Sequence, residues 1–275
     1  MRVSSLLLLA ALWGAPPPVL AAAGATPVPT ATAAPSDPCG GSGRLLATLN
    51  RPTVGFSACA AAPKTVLLEV GYQNQETGSD ALASRTSQYP QTFVRAGLSR
   101  GVELDVIGPN FAGGGAYDSG LGLKYELPPS GKFTVAIDGL YTSPNGSPLL
   151  TAGNATLTGN LDIAYALDET TGIGTTLALA STGGYAADGT HARYGVFMPS
   201  FVVTKQLPNF YQLYGEYVYA SRVAPDAGGR AFVDYGVQKL LGPRFEIDAE
   251  LGNSLTGNPA MRFHYVGFGF GIALP

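Results

Sequence analysis

Leu241-Gly242-Pro243-Arg244-Phe245-Glu246-Ile247-Asp248-Ala249-Glu250-Leu251-Gly252 is the run from which the architecture can be read. Successive side chains of a β-strand point to opposite faces, so Phe245, Ile247, Ala249 and Leu251 share one face and Glu246, Asp248 and Glu250 the other. The segment before it repeats the period, with Ala231, Val233, Tyr235 and Val237 set against Phe232, Asp234, Gly236 and Gln238. Only Leu241-Gly242-Pro243 separates the two, a turn signal that makes them an antiparallel hairpin. Two further segments are as clean. Leu157, Leu161, Ile163, Tyr165 and Leu167 oppose Asn154, Thr156, Thr158, Asn160 and Asp162, while Tyr211, Leu213, Tyr217 and Tyr219 oppose Gln212 and Glu216.

Outward from this hairpin, short and long breaks alternate from Lys64 to the C-terminus. The other short ones are Ser99-Arg100-Gly101, Pro128-Pro129-Ser130-Gly131, Glu169-Thr170-Thr171-Gly172 and Leu207-Pro208-Asn209; longer polar or glycine-rich stretches lie near 78–90, 108–116, 142–153, 182–192, 222–230 and 252–262. Each interval is about ten residues, the span of a tilted membrane strand. The expected strands are 64–77, 90–98, 101–108, 116–127, 131–142, 153–167, 173–182, 192–206, 209–222, 230–240, 243–252 and 261–274. The fold expected is all-β, a transmembrane antiparallel barrel of about twelve strands with short periplasmic turns and long external loops, because an even count puts both ends on the periplasmic side. A soluble sandwich also uses period-two strands and Gly/Pro turns. Strand length, the asymmetry of the breaks and tyrosines at strand ends (Tyr211, Tyr217, Tyr219) favour the membrane barrel.

Composition agrees. The chain has 275 residues, net charge −3, 45% hydrophobic and only 13% charged residues, where soluble domains carry about a quarter. Nothing is basic enough for a nucleic-acid partner; the partners expected are outer-membrane lipid, small-molecule solutes and the barrel-assembly machinery. Arg2, the apolar run Leu6–Trp13 and Ala21-Ala22-Ala23 read as a signal peptide over 1–23, so the destination is the bacterial outer membrane. Residues 24–38, almost all Ala, Pro and Thr, form an extended leader with little to bury. Cys39 and Cys59, the only cysteines in an exported chain, are expected to form a disulfide that staples 39–62 into an element capping the periplasmic mouth or entering the lumen. The barrel then occupies 63–275.

Parity names the candidate lumen-lining charges: the acids Glu69, Glu103, Asp105, Glu126, Asp138, Asp162, Glu216, Asp234, Glu246, Asp248 and Glu250, against the bases Arg95, Lys124 and Arg244. Such a wall either favours cations or pairs locally with its few bases and lumen water. In the last strand Phe268, Phe270, Ile272 and Leu274 share one face and Gly267, Gly269, Gly271 and Ala273 the other, which leaves room inside for the N-terminal segment. The chain ends Ala273-Leu274-Pro275 rather than in an aromatic, with Phe270 placed to serve as the insertion signal.

Enzyme chemistry has little to stand on. A Ser–His hydrolase needs a histidine beside its nucleophile; His191 falls in an expected external loop, and the neighbours of His264, Phe263 and Tyr265, supply none. There is no Gly-x-Ser-x-Gly elbow, and Gly113-Gly114-Gly115 and Gly183-Gly184 lack the Lys-Ser/Thr of a phosphate loop. No catalytic residue, cofactor or metal site is expected.

Leu68-Glu69-Val70-Gly71-Tyr72-Gln73, Gly120-Leu121-Gly122-Leu123-Lys124-Tyr125, Ser143-Pro144-Asn145-Gly146-Ser147 and Phe245–Gly252 before a glycine-rich last strand resemble a family of outer-membrane transporter-like barrels, the meta-pathway phenol-degradation proteins. Asn50-Arg51-Pro52-Thr53 is similar to a segment ahead of the barrel in some members. The resemblance spans roughly 64–274 and implies transport of small, often aromatic or hydrophobic compounds.

Overall fold

The computed structural model describes residues 37–40, 43–78, 84–113, 115–256 and 262–275. The signal peptide expected at 1–23, and the leader up to residue 36, lie outside the described residues.

Twelve long strands among the described residues form one antiparallel sheet closed on itself. They are β1 (Val66–Thr77), β2 (Ser84–Ser99), β3 (Val102–Ile107), β4 (Gly120–Glu126), β5 (Phe133–Thr142), β6 (Thr156–Ala166), β7 (Thr171–Tyr185), β8 (His191–Leu207), β9 (Tyr211–Ala220), β10 (Arg230–Leu240), β11 (Phe245–Ser254) and β12 (Phe263–Leu274). Each pairs with its neighbour in sequence, and β1 closes the ring on β12 from Val66 opposite Leu274 to Thr77 opposite Phe263. Closure removes every long edge, so the ladder satisfies the backbone without help from water, as a membrane requires.

The short breaks fall at one end together with both ends of the barrel, which is the periplasmic end. Two of the longer breaks are tighter than expected. Strand β2 already begins at Ser84, inside the break placed at 78–90, and β7 and β8 run to Tyr185 and from His191, so the break placed at 182–192 shrinks to residues 186–190. Polar residues at these positions continue the ladder because the strands project past the lipid, where the apolar alternation is no longer needed. In the third connection Phe111–Ala112 and Gly115–Ala116 pair as a small hairpin that touches β2 at Gln88. In the short turn between β6 and β7 the Asp168 carboxylate accepts from the Thr170 and Thr171 N–H groups and the Thr170 hydroxyl. Those donors hold its pKa well below the usual carboxylate range.

The faces separate as parity required. Leu121, Leu123 and Tyr125 of β4, Ile137 of β5, Leu177 and Leu179 of β7 and Leu213 of β9 are exposed on the outside. A continuous apolar band of this kind is stable only against lipid. Inside, residues 37–40 and 43–65 enter the barrel as a plug. Its helix α1 (Arg44–Thr48) is a single turn that lies under Leu67 and Leu240 with Leu45, Leu46, Leu49 and Ala61. Cys39 and Cys59 are bonded, as their isolation in an exported chain suggested. A twelve-stranded barrel is wider than its own side chains can fill, so a plug of this size has room to enter.

Candidate functional site

The ladder register builds the charged interior. Arg95 of β2 stands opposite Asp105 of β3, Glu103 of β3 opposite Lys124 of β4, and Lys124 opposite Asp138 of β5. Arg95, fully buried, forks onto Glu103 (2.8 and 3.1 Å) with Glu69 at 3.4 Å and Asp105 at 3.9 Å, and donates to the carbonyls of Thr48 and Cys59 in the plug. Lys124 donates to the Ser57 carbonyl (2.6 Å) with Asp138 and Asp162 at 3.9 and 3.8 Å. Unpaired charges in such a site would cost several kcal/mol each. Here plug carbonyls give Arg95 and Lys124 further acceptors, while both oxygens of Asp105 and of Glu246 have no hydrogen-bond partner among the described residues.

The acids grip the same plug. Glu69 accepts from the Arg51 N–H (2.7 Å), Glu126 from Ala60, Glu103 from Ala61, and Glu216 from Val54 (2.7 Å) and Gly55 (2.8 Å). The Arg51 guanidinium binds Asp248 (2.9 Å), Glu250 (3.3 Å) and Gln91 (3.1 Å), and its carbonyl accepts from Gln238. It lies over Gly71 and Gly269, register partners on β1 and β12, where a Cβ on either would run into it; Leu49 lies likewise over Gly271. The glycine face of the last strand is the seat of the plug.

The remaining candidates are also buried. Asp234 accepts from the Tyr214 and Tyr265 hydroxyls (2.8 Å each), Asp138 from Asn160, Asp162 from Thr176, and Glu246 is enclosed between Leu240 and Gly271 in the ladder. Arg244, expected to face inward, is exposed in the β10–β11 turn, because the strand starts one residue later and parity has no meaning before it. His191, expected in a loop, opens β8 and donates to the Ala152 carbonyl at 2.8 Å.

The plug leaves part of the lumen unfilled. Along β6, β7 and β8 a cavity of about 540 Å³ runs up from the short-turn end, and a second of about 230 Å³ lies towards the loops. Both are lined by Gly55, Phe56, Thr176 and Ser200, so they meet at the tip of the plug. Thr176 and Ser200 are register partners, and the Phe56 N–H donates to the Thr176 hydroxyl at 2.9 Å. Sequence reasoning missed Arg51, Phe56, Thr176 and Ser200 as site residues. Arg51 had a signal, a basic residue in a stapled segment ahead of an acid-lined barrel; the others are ordinary plug and wall residues.

No family model and no curated protein matches the chain. Solved structures do. The NanC porin superposes with a TM-score of 0.59 at 11% identity over 75% of this chain and 100% of that one. The COG4313 outer membrane channel from Pseudomonas putida F1 gives 0.58 at 13% identity, over 78% and 97%. The KdgM porin gives 0.52 at 10% identity, over 75% and 99%. At such identity the likeness is one of fold. With the lipid-facing band, it makes this chain a bacterial outer-membrane β-barrel.

Proposed function

We propose that the barrel is a channel for the passive passage of small molecules, without enzymatic turnover. The observation that carries this reading is the pair of cavities in file along β6–β8, which meet at the plug tip and leave that side of the lumen open in part. The likeness in fold to porins and to an outer membrane channel supports it, and the resemblance to the meta-pathway phenol-degradation proteins supports aromatic or hydrophobic cargo among those molecules. The acids of the opposite wall serve to seat the plug, since Arg51, Arg95 and the plug amides already occupy them. Residues 1–23 would be removed on export, 24–38 would lead to the stapled plug 39–62, and the barrel-assembly machinery would insert 63–275, reading Phe270 near its end. N-terminal sequencing of the exported protein checks the cut.

The extent of the clamp favours a second reading, a closed barrel whose external loops contact partners. Planar-bilayer recording of the purified protein separates the two. Stable unitary currents support the channel; bilayers that stay silent with correctly folded protein support the closed scaffold.

A further inference from the structure

The geometry points to a gated path for uncharged solutes along β6–β8, with the Gly55–Phe56 tip of the plug as its gate. This rests on the channel reading and goes beyond it by naming the solute class and the residue that blocks its way.

The lower cavity reaches the Thr176–Ser200 pair from the periplasmic side, and the upper one begins at the same pair and continues past Ala178 and Met198, one step further along the same two strands. The plug residues that line both are Gly55 and Phe56. The tip is latched by three hydrogen bonds: Val54 and Gly55 N–H to the Glu216 carboxylate, and Phe56 N–H to the Thr176 hydroxyl, whose own proton goes to Asp162. These bonds are local to the tip, whereas Arg51 and Arg95 anchor the plug through different walls. The tip can therefore let go while the plug stays in place. The Phe56 ring packs edge-on against Phe93 at 5.8 Å and under the Lys124 ammonium at 5.4 Å, so it blocks by bulk rather than by charge.

The lining supplies the solute class. Among the described residues no ionisable side chain lines the upper cavity; it offers hydroxyl and amide groups (Thr142, Thr158, Asn160, Thr176) beside Ile107, Leu140 and Met198. The charges behind this lining are already engaged: Lys124 by the Ser57 carbonyl, Asp162 by the Thr176 hydroxyl, Asp138 by the Asn160 amide and Glu216 by the Val54 and Gly55 N–H groups. An ion crossing here would shed water without meeting an available counter-charge, whereas a neutral molecule with an apolar face and a few hydroxyls would exchange its hydrogen bonds at little cost. The lower cavity does meet charge: Asp37, Asp168 and Glu169 at its mouth, where the solute is still hydrated, and Arg51 further in, whose guanidinium is already held by Asp248 and Glu250.

The test is swelling of proteoliposomes carrying the full-length protein, with erythritol, serinol in its cationic form and glycerate as small hydroxylated probes of differing charge. Wild-type protein is expected to pass erythritol several-fold faster than either ion, Phe56→Ala to raise the erythritol rate several-fold, and Ala178→Trp, which fills the upper cavity, to lower it. Each variant is first shown to be folded by its heat-modifiable migration on gels. Ions entering as fast as erythritol overturn the solute class, and a Phe56→Ala rate equal to wild type overturns the gate; in both cases the channel reading stands. If folded wild-type and Phe56→Ala proteins pass no probe at all, the channel reading falls and the gated path with it.

Discussion

Arg95 concentrates the chemistry of the interior in one side chain. Its fork meets Glu103, with Glu69 and Asp105 close by, and its other donors reach two plug carbonyls. Replacing it with Met would leave three carboxylates in a closed wall without the cation they share, and with Lys124 opposite Glu103 as the remaining base. Breaking a buried pair from one side costs about 3–5 kcal/mol, so Arg95→Met is expected to loosen the plug far more than the outer surface suggests. Faster proteolysis within residues 40–62 of the folded barrel would show this. Arg95→Lys keeps the charge and loses the fork, and should fall between the two. Glu216→Gln isolates the latch. The amide keeps the shape but offers one acceptor oxygen to the two N–H groups of Val54 and Gly55, and a buried donor left unpaired costs about 1–3 kcal/mol. More frequent openings in single-channel records are expected, with the plug still protected from protease. The presence of these charges was legible in sequence, since parity alone put the barrel acids, Arg95 and Lys124 on one side of their strands. Their partners were not, because most are backbone N–H and C=O groups of the plug, which any sequence supplies.

The plug and the last strand were made for each other as elements. The alternation of glycine with Phe268, Phe270 and Ile272 showed an inner face with room on it, and Arg51 and Leu49 take up that room. Which plug residues would do so depends on barrel closure, which brings Gly71 opposite Gly269 across the whole length of the chain. No local pattern encodes that juxtaposition. Gly269→Val therefore puts a branched side chain where the Arg51 guanidinium lies and should expel the plug from its seat. Gly139→Val on β5 is the control, because its Cβ would meet nothing within 4 Å. The expected result is rapid cleavage of the plug in the first variant only, both barrels keeping their heat-modifiable shift. The Cys39–Cys59 bond closes a loop with a sequence separation of 20 residues, and cross-links of that size contribute about 3 kcal/mol by restricting the unfolded chain. Cys39→Ser with Cys59→Ser should lower the temperature at which the plug becomes protease-sensitive and leave barrel unfolding where it was. The turn at Asp168 belongs to this scale too. Its lowered pKa means that its contribution is complete above the ordinary carboxylate range and is lost only as pH falls through the lowered value.

Across the whole molecule the excess of acid over base is the feature that composition and parity advertised most plainly, and the structure gives it a different use from the one an open pore would make of it. With the plug seated, Glu69, Glu103, Glu216, Asp248 and Glu250 are engaged by Arg51, Arg95 and plug amides, and the described lining of the upper cavity is neutral. Remove residues 24–62 and the balance changes. Arg44 and Arg51 leave with the plug, the amides leave too, and the exposed wall retains its carboxylates with fewer bases, Arg95, Lys124 and Arg230 among them, to offset them. Field focusing in a low-dielectric pore then favours cations. The expected outcome is a larger conductance that is cation-selective in the truncated barrel, against a small and weakly selective one in the intact chain. Reversal potentials under a salt gradient measure both, on protein first shown to be folded by heat-modifiable migration. Unchanged conductance would mean that the plug does not obstruct the path. A larger conductance without cation preference would mean that the acids pair among themselves or with water once the plug is gone, and that seating it is not what keeps their field silent.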